Sequence, residues 1–230
     1  MIQETIADTV SYVAAGAPEA AVAAKSLSIW QLTVMGGFIM IPLAILSILS
    51  IYIFVERYIV ISRARRDDDT FMRRIKDYIH EGELENARRL CQQTDTPYSR
   101  LIAKGISRIG RPMQDVLVTI ENTGNMEIAR LEKGLPWLAT TAAGAPMIGF
   151  LGTVIGMVEA FYNLASAGTS ANIAVLADGI YGALVTTVAG LIVGIIALFA
   201  YNYLTARVSK VMNMLEGKTM EFMDLLNEPA

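Results

Sequence analysis

Apolar and polar positions divide the chain into three long charge-free blocks separated by charged sequence. The blocks run from Ser26 to Val55, from Gly134 to Val158 and from Gly179 to Ala206. Each exceeds the about 20 residues that a helix needs to cross about 30 Å of hydrocarbon. Soluble core helices seldom run so long without a charge, and a closed barrel would show many short alternating segments, which this sequence lacks. The pattern predicts an all-α integral membrane protein with three transmembrane helices, over 30–56, 135–160 and 178–204.

Between the first two blocks the period is that of amphipathic helices. Phe71, Ile75, Tyr78 and Ile79 form one apolar stripe; Leu84, Ala87, Leu90 and Cys91 form a second after Gly82. Leu101, Ile102, Gly105, Ile106 and Ile109 form a third after Pro97. Asp67 to Asp69 suit the capped start of a helix better than a metal site. From Pro112 to about Tyr162 only Pro136 and Pro146 interrupt the helical pattern, so one helix of about 75 Å is expected, standing out of the membrane before entering it. Pro42 is expected to kink the first span. Past Tyr203, apolar residues recur near heptad spacing at Leu204, Val208, Val211, Leu215, Phe222 and Leu226. The third span is therefore also expected to continue as a helix beyond the membrane.

Charge sets the orientation. Of the 19 Lys and Arg residues, 15 lie between Arg57 and Lys133 and three more lie from Arg207 onward. Only Lys25 precedes the first span, and the stretch from Glu159 to Asp178 carries no basic residue. The positive-inside rule then places 1–29 and the loop 161–177 in the periplasm, and the helical domain 57–134 and the C-terminal helix 205–230 in the cytoplasm. The first residues are acidic (Glu4, Asp8), unlike the basic start of a cleaved signal. Ile2, Ile6, Val10 and Val13 fit an amphipathic helix on the outer face, and an Ala-rich leader without structure is the alternative. Glu56 and Arg57 mark the inner boundary of the first span.

Spans two and three differ from the first. Gly149, Gly152 and Gly156 in span two, and Gly182, Thr186, Gly190 and Gly194 in span three, form smooth stripes. Small residues let helices approach closely in lipid, where hydrophobicity gives no drive for association. Thr140, Thr141, Thr153, Thr186 and Thr187 lie in the same spans. Each can bond back to a carbonyl one turn earlier. Thr153 and Thr187, however, fall about 9 Å and 13 Å below Glu159 and Asp178 along antiparallel helices, a comparable depth that could line a hydrated path. Glu159 is the carboxylate at the outer end of span two, either a boundary residue or a functional one. Asp178 suits a helix cap.

Several chemistries are excluded. One cysteine and one histidine build neither a disulfide framework nor a His/Cys metal centre. No phosphate loop or nucleophile set is present, no cofactor is implied, and basic residues interleaved with acids argue against nucleic acid.

Two motifs carry a resemblance. Ala145-Pro146-Met147-Ile148-Gly149-Phe150-Leu151-Gly152-Thr153-Val154-Ile155-Gly156 resembles the second-span signature of the ExbB/TolQ/MotA proton-channel family. Leu176-Ala177-Asp178-Gly179-Ile180 and Ala183-Leu184-Val185-Thr186-Thr187-Val188-Ala189-Gly190-Leu191 resemble its third-span signature. Three spans favour the ExbB/TolQ branch, and ExbB within it. The resemblance implies a homo-pentameric ring around a dimer of single-span ExbD/TolR-like subunits, which carry the proton-binding aspartate. It also implies a pore lined by spans two and three, with Thr153 and Thr187 as the pore threonines, and work delivered to a TonB-like protein; Thr186 and Glu159 are further candidates for the proton path. Membrane lipid surrounds such a ring. One departure stands out: many ExbB proteins carry a glutamate where this chain has Gly182. A TolQ-like or gliding or secretion motor subunit of the same family, or a passive scaffold packed through its glycines, is the competing reading.

Overall fold

The computed structural model describes residues 36–65, 69–167 and 173–227, and every helical or extended element among them is a helix. A 3-10 turn, Gly37–Ile39, leads into α1 (Met40–Ala64). Four shorter helices follow: α2 (Asp69–His80), α3 (Leu84–Thr94), α4 (Pro97–Ile106) and α5 (Met113–Glu132). Two long ones complete the chain, α6 (Leu135–Ser166) and α7 (Ile173–Asn227). Three of them, α1 with its leading turn, α6 and α7, are long and apolar enough to cross a membrane. The expected N-terminal amphipathic helix and the start of the first span near Trp30 lie outside the described residues.

The spans are apolar on the outside because lipid is their solvent. Ile48 on α1, Met147 and Phe150 on α6 and Phe199 on α7 are all largely exposed. The interior of the bundle is instead built from small residues: Ala145, Gly149 and Gly152 on α6 and Ala183, Gly190 and Gly194 on α7 are buried. The charged side of the molecule follows the opposite rule. There α2–α5 and the second half of α7 enclose one hydrophobic core, with Phe71, Ile75, Tyr98, Leu101, Ile102 and Ile120 at its centre. Leu204, Val208, Val211, Leu215 and Phe222 of α7 are buried in it, so the heptad-spaced stripe is the face that docks this helix. At 1.5 Å per residue, 55 residues make α7 about 80 Å long. It runs unbroken from the spans into the core of the domain.

Two helix ends differ from expectation. The helix foreseen from Pro112 to Tyr162 is broken between α5 and α6. Gly134 sits at φ +89°, a left-handed conformation that only glycine adopts freely, and Lys133 is extended (ψ 125°). Pro136 then lies in the first turn of α6, where its missing N–H costs nothing. The break leaves carbonyls at the end of α5 without helical donors, and Arg57 supplies one: its buried guanidinium donates to the Arg130 carbonyl at 3.1 Å and pairs with Glu56. Pro42 is likewise in the first turn of α1, so it starts that helix rather than kinking it.

The helical domain is fixed by capping and one buried carboxylate. Thr96 and Ser99 form a reciprocal capping box at the start of α4, with Pro97 in the first turn. Glu127, buried on α5, accepts two hydrogen bonds from Arg100 (3.1 and 2.7 Å) and one from Arg130 (2.7 Å). The Glu127 hydrogen bonds hold Arg100 protonated even more firmly than usual. Arg100 also bonds Asp95, at the left-handed end of α3, so one guanidinium ties α3, α4 and α5 together.

Two predictions follow from this packing. A Cβ on Gly105 would lie 2.5 Å from the Phe222 ring and 2.9 Å from Ile120 Cδ1. Gly105→Ala should therefore push α4 off α7 and cost about 1–3 kcal/mol, read as a lower unfolding midpoint of the helical domain. Burial pushes the Cys91 thiol up to about 12. The folded state thus favours the neutral thiol; that contribution is complete below the unfolded value of about 8.5 and is lost as pH rises through the folded one. Cys91 should resist alkylation at pH 8 until denaturant opens the domain, and rapid labelling of the native protein would contradict this.

Candidate functional site

The site begins with backbone contact between α6 and α7. A Cβ on Gly190 would lie 2.5 Å from the Ala145 carbonyl oxygen, and one on Gly149 would lie 2.8 Å from that of Thr186. Only hydrogens fit, and they make Cα–H···O contacts of a kind worth roughly 0.5–1 kcal/mol each. Gly156 meets Ala183, Gly179 meets Ala160, and Gly194 meets the Pro146 ring, which sets an antiparallel register along the whole seam. Pro146 has no N–H to give the Ala142 carbonyl, and Gly194 is the residue that closes over that oxygen (3.1 Å from its Cβ position).

This close approach brings three threonine hydroxyls onto one carbonyl. The Gly149 oxygen accepts from Thr153 (3.4 Å), Thr186 (3.2 Å) and Thr187 (3.1 Å). Thr153 and Thr187 also hydrogen-bond each other, and Thr153 reaches the Ala183 carbonyl across the seam at 3.2 Å. The members of the cluster differ. Thr186 is 2% exposed and its shortest bond, 2.7 Å, goes back to Ala183 on its own helix. Thr153 and Thr187 are half-buried and touch each other from opposite helices. The pair owns two protons and faces two carbonyls besides its own oxygens, so the direction of donation between the hydroxyls can reverse without moving either helix. Thr140 and Thr141 take the local alternative and bond back to Pro136 and Trp137 (2.9 Å each).

Above the cluster, toward the end of α6 and the start of α7, lies a cavity of about 460 Å³ lined by Glu159, Asn163, Asp178, Gly182 and Thr186, among others. Both carboxylates are exposed at its rim. Asp178 is not a cap, because α7 starts five residues earlier at Ile173. Gly182 lines this cavity with Glu159. The close contacts on α7 at 179, 183, 190 and 194 form a run of mixed four- and seven-residue steps, with Thr186 between. A strict four-residue stripe drifts around the helix, whereas alternating threes and fours stay on one face. That signal was available in the chain, since Gly179 and Ala183 precede Thr186 in the right steps. What residue types alone could not show is the Gly149 carbonyl as the shared acceptor.

The fold and this seam define a class: a three-span helical membrane protein with a small-residue helix pair closed around a cluster of hydroxyls. Comparison with known proteins makes it specific. Residues 93–217 match the family described as the MotA/TolQ/ExbB proton channel family, so the matched segment contains the seam and much of the domain that carries it. The chain belongs to that family. It is similar to a protein of Synechocystis sp. named as a putative biopolymer transport protein ExbB-like 1, 33% identical over 77% of this chain and 71% of that one. It is also similar to the biopolymer transport protein ExbB of Neisseria meningitidis, 32% identical over 74% of this chain and 81% of that one. The Tol-Pal system protein TolQ of Pseudomonas aeruginosa is 28% identical over 86% of this chain and 90% of its own length.

The geometry predicts which glycines are indispensable. Gly149→Ala or Gly190→Ala drives a methyl into the facing backbone, which cannot rotate away. Either should separate α6 from α7 and abolish stable assembly in a gentle detergent. Gly144→Ala, where a Cβ meets nothing within 4 Å, should leave the elution profile unchanged. Equal tolerance at all three positions would contradict the register.

Proposed function

We propose that this chain is the ring-forming subunit of a motor driven by the proton-motive force in the bacterial inner membrane, of ExbB type. In this reading five copies surround a dimer of single-span ExbD/TolR-like subunits. The N-terminus is periplasmic, α2–α5 and the end of α7 are cytoplasmic, and work passes to a TonB-like protein. The observation that carries the reading is the hydroxyl pair Thr153–Thr187 on the Gly149 carbonyl. Hydroxyls donate to a charged carboxylate and accept from a neutral one. A partner aspartate could therefore rest beside them in either protonation state, which a fixed lysine would forbid. Thr186, buried in the seam, acts as a lock that holds the pair in place. The carboxylates that attract protons at the outer mouth are Glu159 and Asp178, with Gly182 leaving space where many ExbB proteins have a glutamate.

A TolQ-like role uses the same machinery and differs in the partner energised. A passive scaffold packed through its glycines would share the seam and consume no gradient. Reconstitution with the single-span partner in liposomes holding a pH-sensitive dye separates them. Thr187→Val and Thr153→Val should each cut proton flux about tenfold or more, an increment of roughly 1.4 kcal/mol or above in the barrier. The assembled mass should be unchanged, and Thr187→Ser should restore flux. Normal flux in an assembled Thr187→Val complex would rule out the proposed path.

A further inference from the structure

We propose that the groove between α1 and α7, at the end of the spans nearest the helical domain, binds an anionic glycerophospholipid. The groove has a volume of about 580 Å³ and an almost wholly apolar wall that includes Ile51, Phe54, Ile196, Phe199 and Ala200. That is the size range of small-molecule sites, about 300–1,000 Å³. Its mouth is polar and basic. Tyr58 of α1 and Tyr203 of α7 stack with ring centroids 6.3 Å apart. Arg207 lies over both rings, 5.1 and 4.9 Å from their centroids, and hydrogen-bonds the Tyr203 hydroxyl.

The charge balance of this mouth selects the ligand. Among the described residues no carboxylate pairs with Arg207. From Gly179 to Leu215, α7 carries Arg207 and Lys210 and no acid. Lys210 falls seven residues after Tyr203 and Arg65 seven after Tyr58, so both continue the faces that carry the two rings, about 10 Å further from the membrane. On α1 the one nearby acid, Glu56, is paired with Arg57. A guanidinium and two phenol hydroxyls at the interface, above an apolar slot, match a phosphodiester above an acyl chain. Tyr and Arg are the side chains that hold such a position, with apolar bodies in the slot and polar tips at the headgroup. The other occupant to be weighed is a helix of a second copy, which could bring a partner to the buried Ser50 hydroxyl on the groove wall. It would leave the basic mouth unmatched. The lipid site stands whether or not the motor reading holds.

The test uses the complex as it is purified from membranes in a gentle detergent. Bound lipid is counted by native mass spectrometry and identified after extraction. The wild type should hold about one phosphatidylglycerol-class lipid per chain, enriched above its share of the membrane. Arg207→Gln should reduce the retained anionic lipid about tenfold, the loss of one charge-assisted contact. Ala200→Phe should do the same by filling the slot with the charge intact. A benzophenone side chain replacing Phe199 should form adducts with lipid. Retention unchanged in both variants, retained lipid with the composition of the bulk membrane, or photoadducts mainly to a second copy of the chain would each overturn the proposal.

Discussion

Gly149 and Gly190 set α6 and α7 at a separation where main chain touches main chain, and most of what is distinctive about the molecule depends on that distance. In lipid there is no hydrophobic drive to bring two apolar helices together, so association rests on packing and on weak polar contacts. The seam supplies both: hydrogens in place of side chains at Gly149 and Gly190, and carbonyls of Ala145 and Thr186 opposite them. The same closeness lets Thr186 and Thr187 cross to a carbonyl on α6. With larger residues at these positions the threonines would turn back to their own helix, as Thr140 and Thr141 do. Polar chemistry in the seam is therefore a consequence of helix spacing.

The seam continues into a lever. Because α7 is unbroken through residue 227, the helix that carries Thr187 also carries Leu204, Val211 and Phe222 into the core of the helical domain. The α6 side behaves differently. It stops at Gly134, and α5 starts its own direction from there, held by Arg57 on the Arg130 carbonyl. α7 thus enters the domain core without a break, whereas α6 meets that core through its first turns, at Leu135 and Leu138, and joins α5 across a left-handed glycine. Arg57 reaches this joint from α1, so the first span and the domain meet at one guanidinium.

Much of this was legible in the chain, and the illegible parts have physical causes. Charge-free length gave the spans and heptad spacing gave the docking face of α7, because both depend on composition along one helix. The amphipathic stripes at Phe71, Ala87 and Leu101 became the domain core for the same reason. The break at Gly134 was hidden because a glycine within a helical pattern can be tolerated there as well as end the helix. Pro42 and Pro136 were ambiguous until their places in the first turns were known. For the candidate site, the pairing of Thr153 with Thr187 followed from antiparallel depth, but their common acceptor is a backbone oxygen, and the backbone is the same at every position of a sequence. Asp178 looked like a cap because the start of α7 before it contains no proline or charge to mark it.

The contrast between Thr186 and Thr187 shows what the fold adds to such a motif. Adjacent in sequence and identical in chemistry, they sit about 100° apart around α7. That rotation places Thr186 in the seam, 2% exposed, and Thr187 at its edge beside Thr153. A hydroxyl sealed between helices, as Thr186 is, contributes packing and donates only to main-chain carbonyls. A hydroxyl at the edge, sharing its neighbour and its acceptors, can change the direction in which it donates. Exchange with a visiting carboxylate requires that freedom, and of the three hydroxyls on Gly149 only the pair formed across the two helices has it.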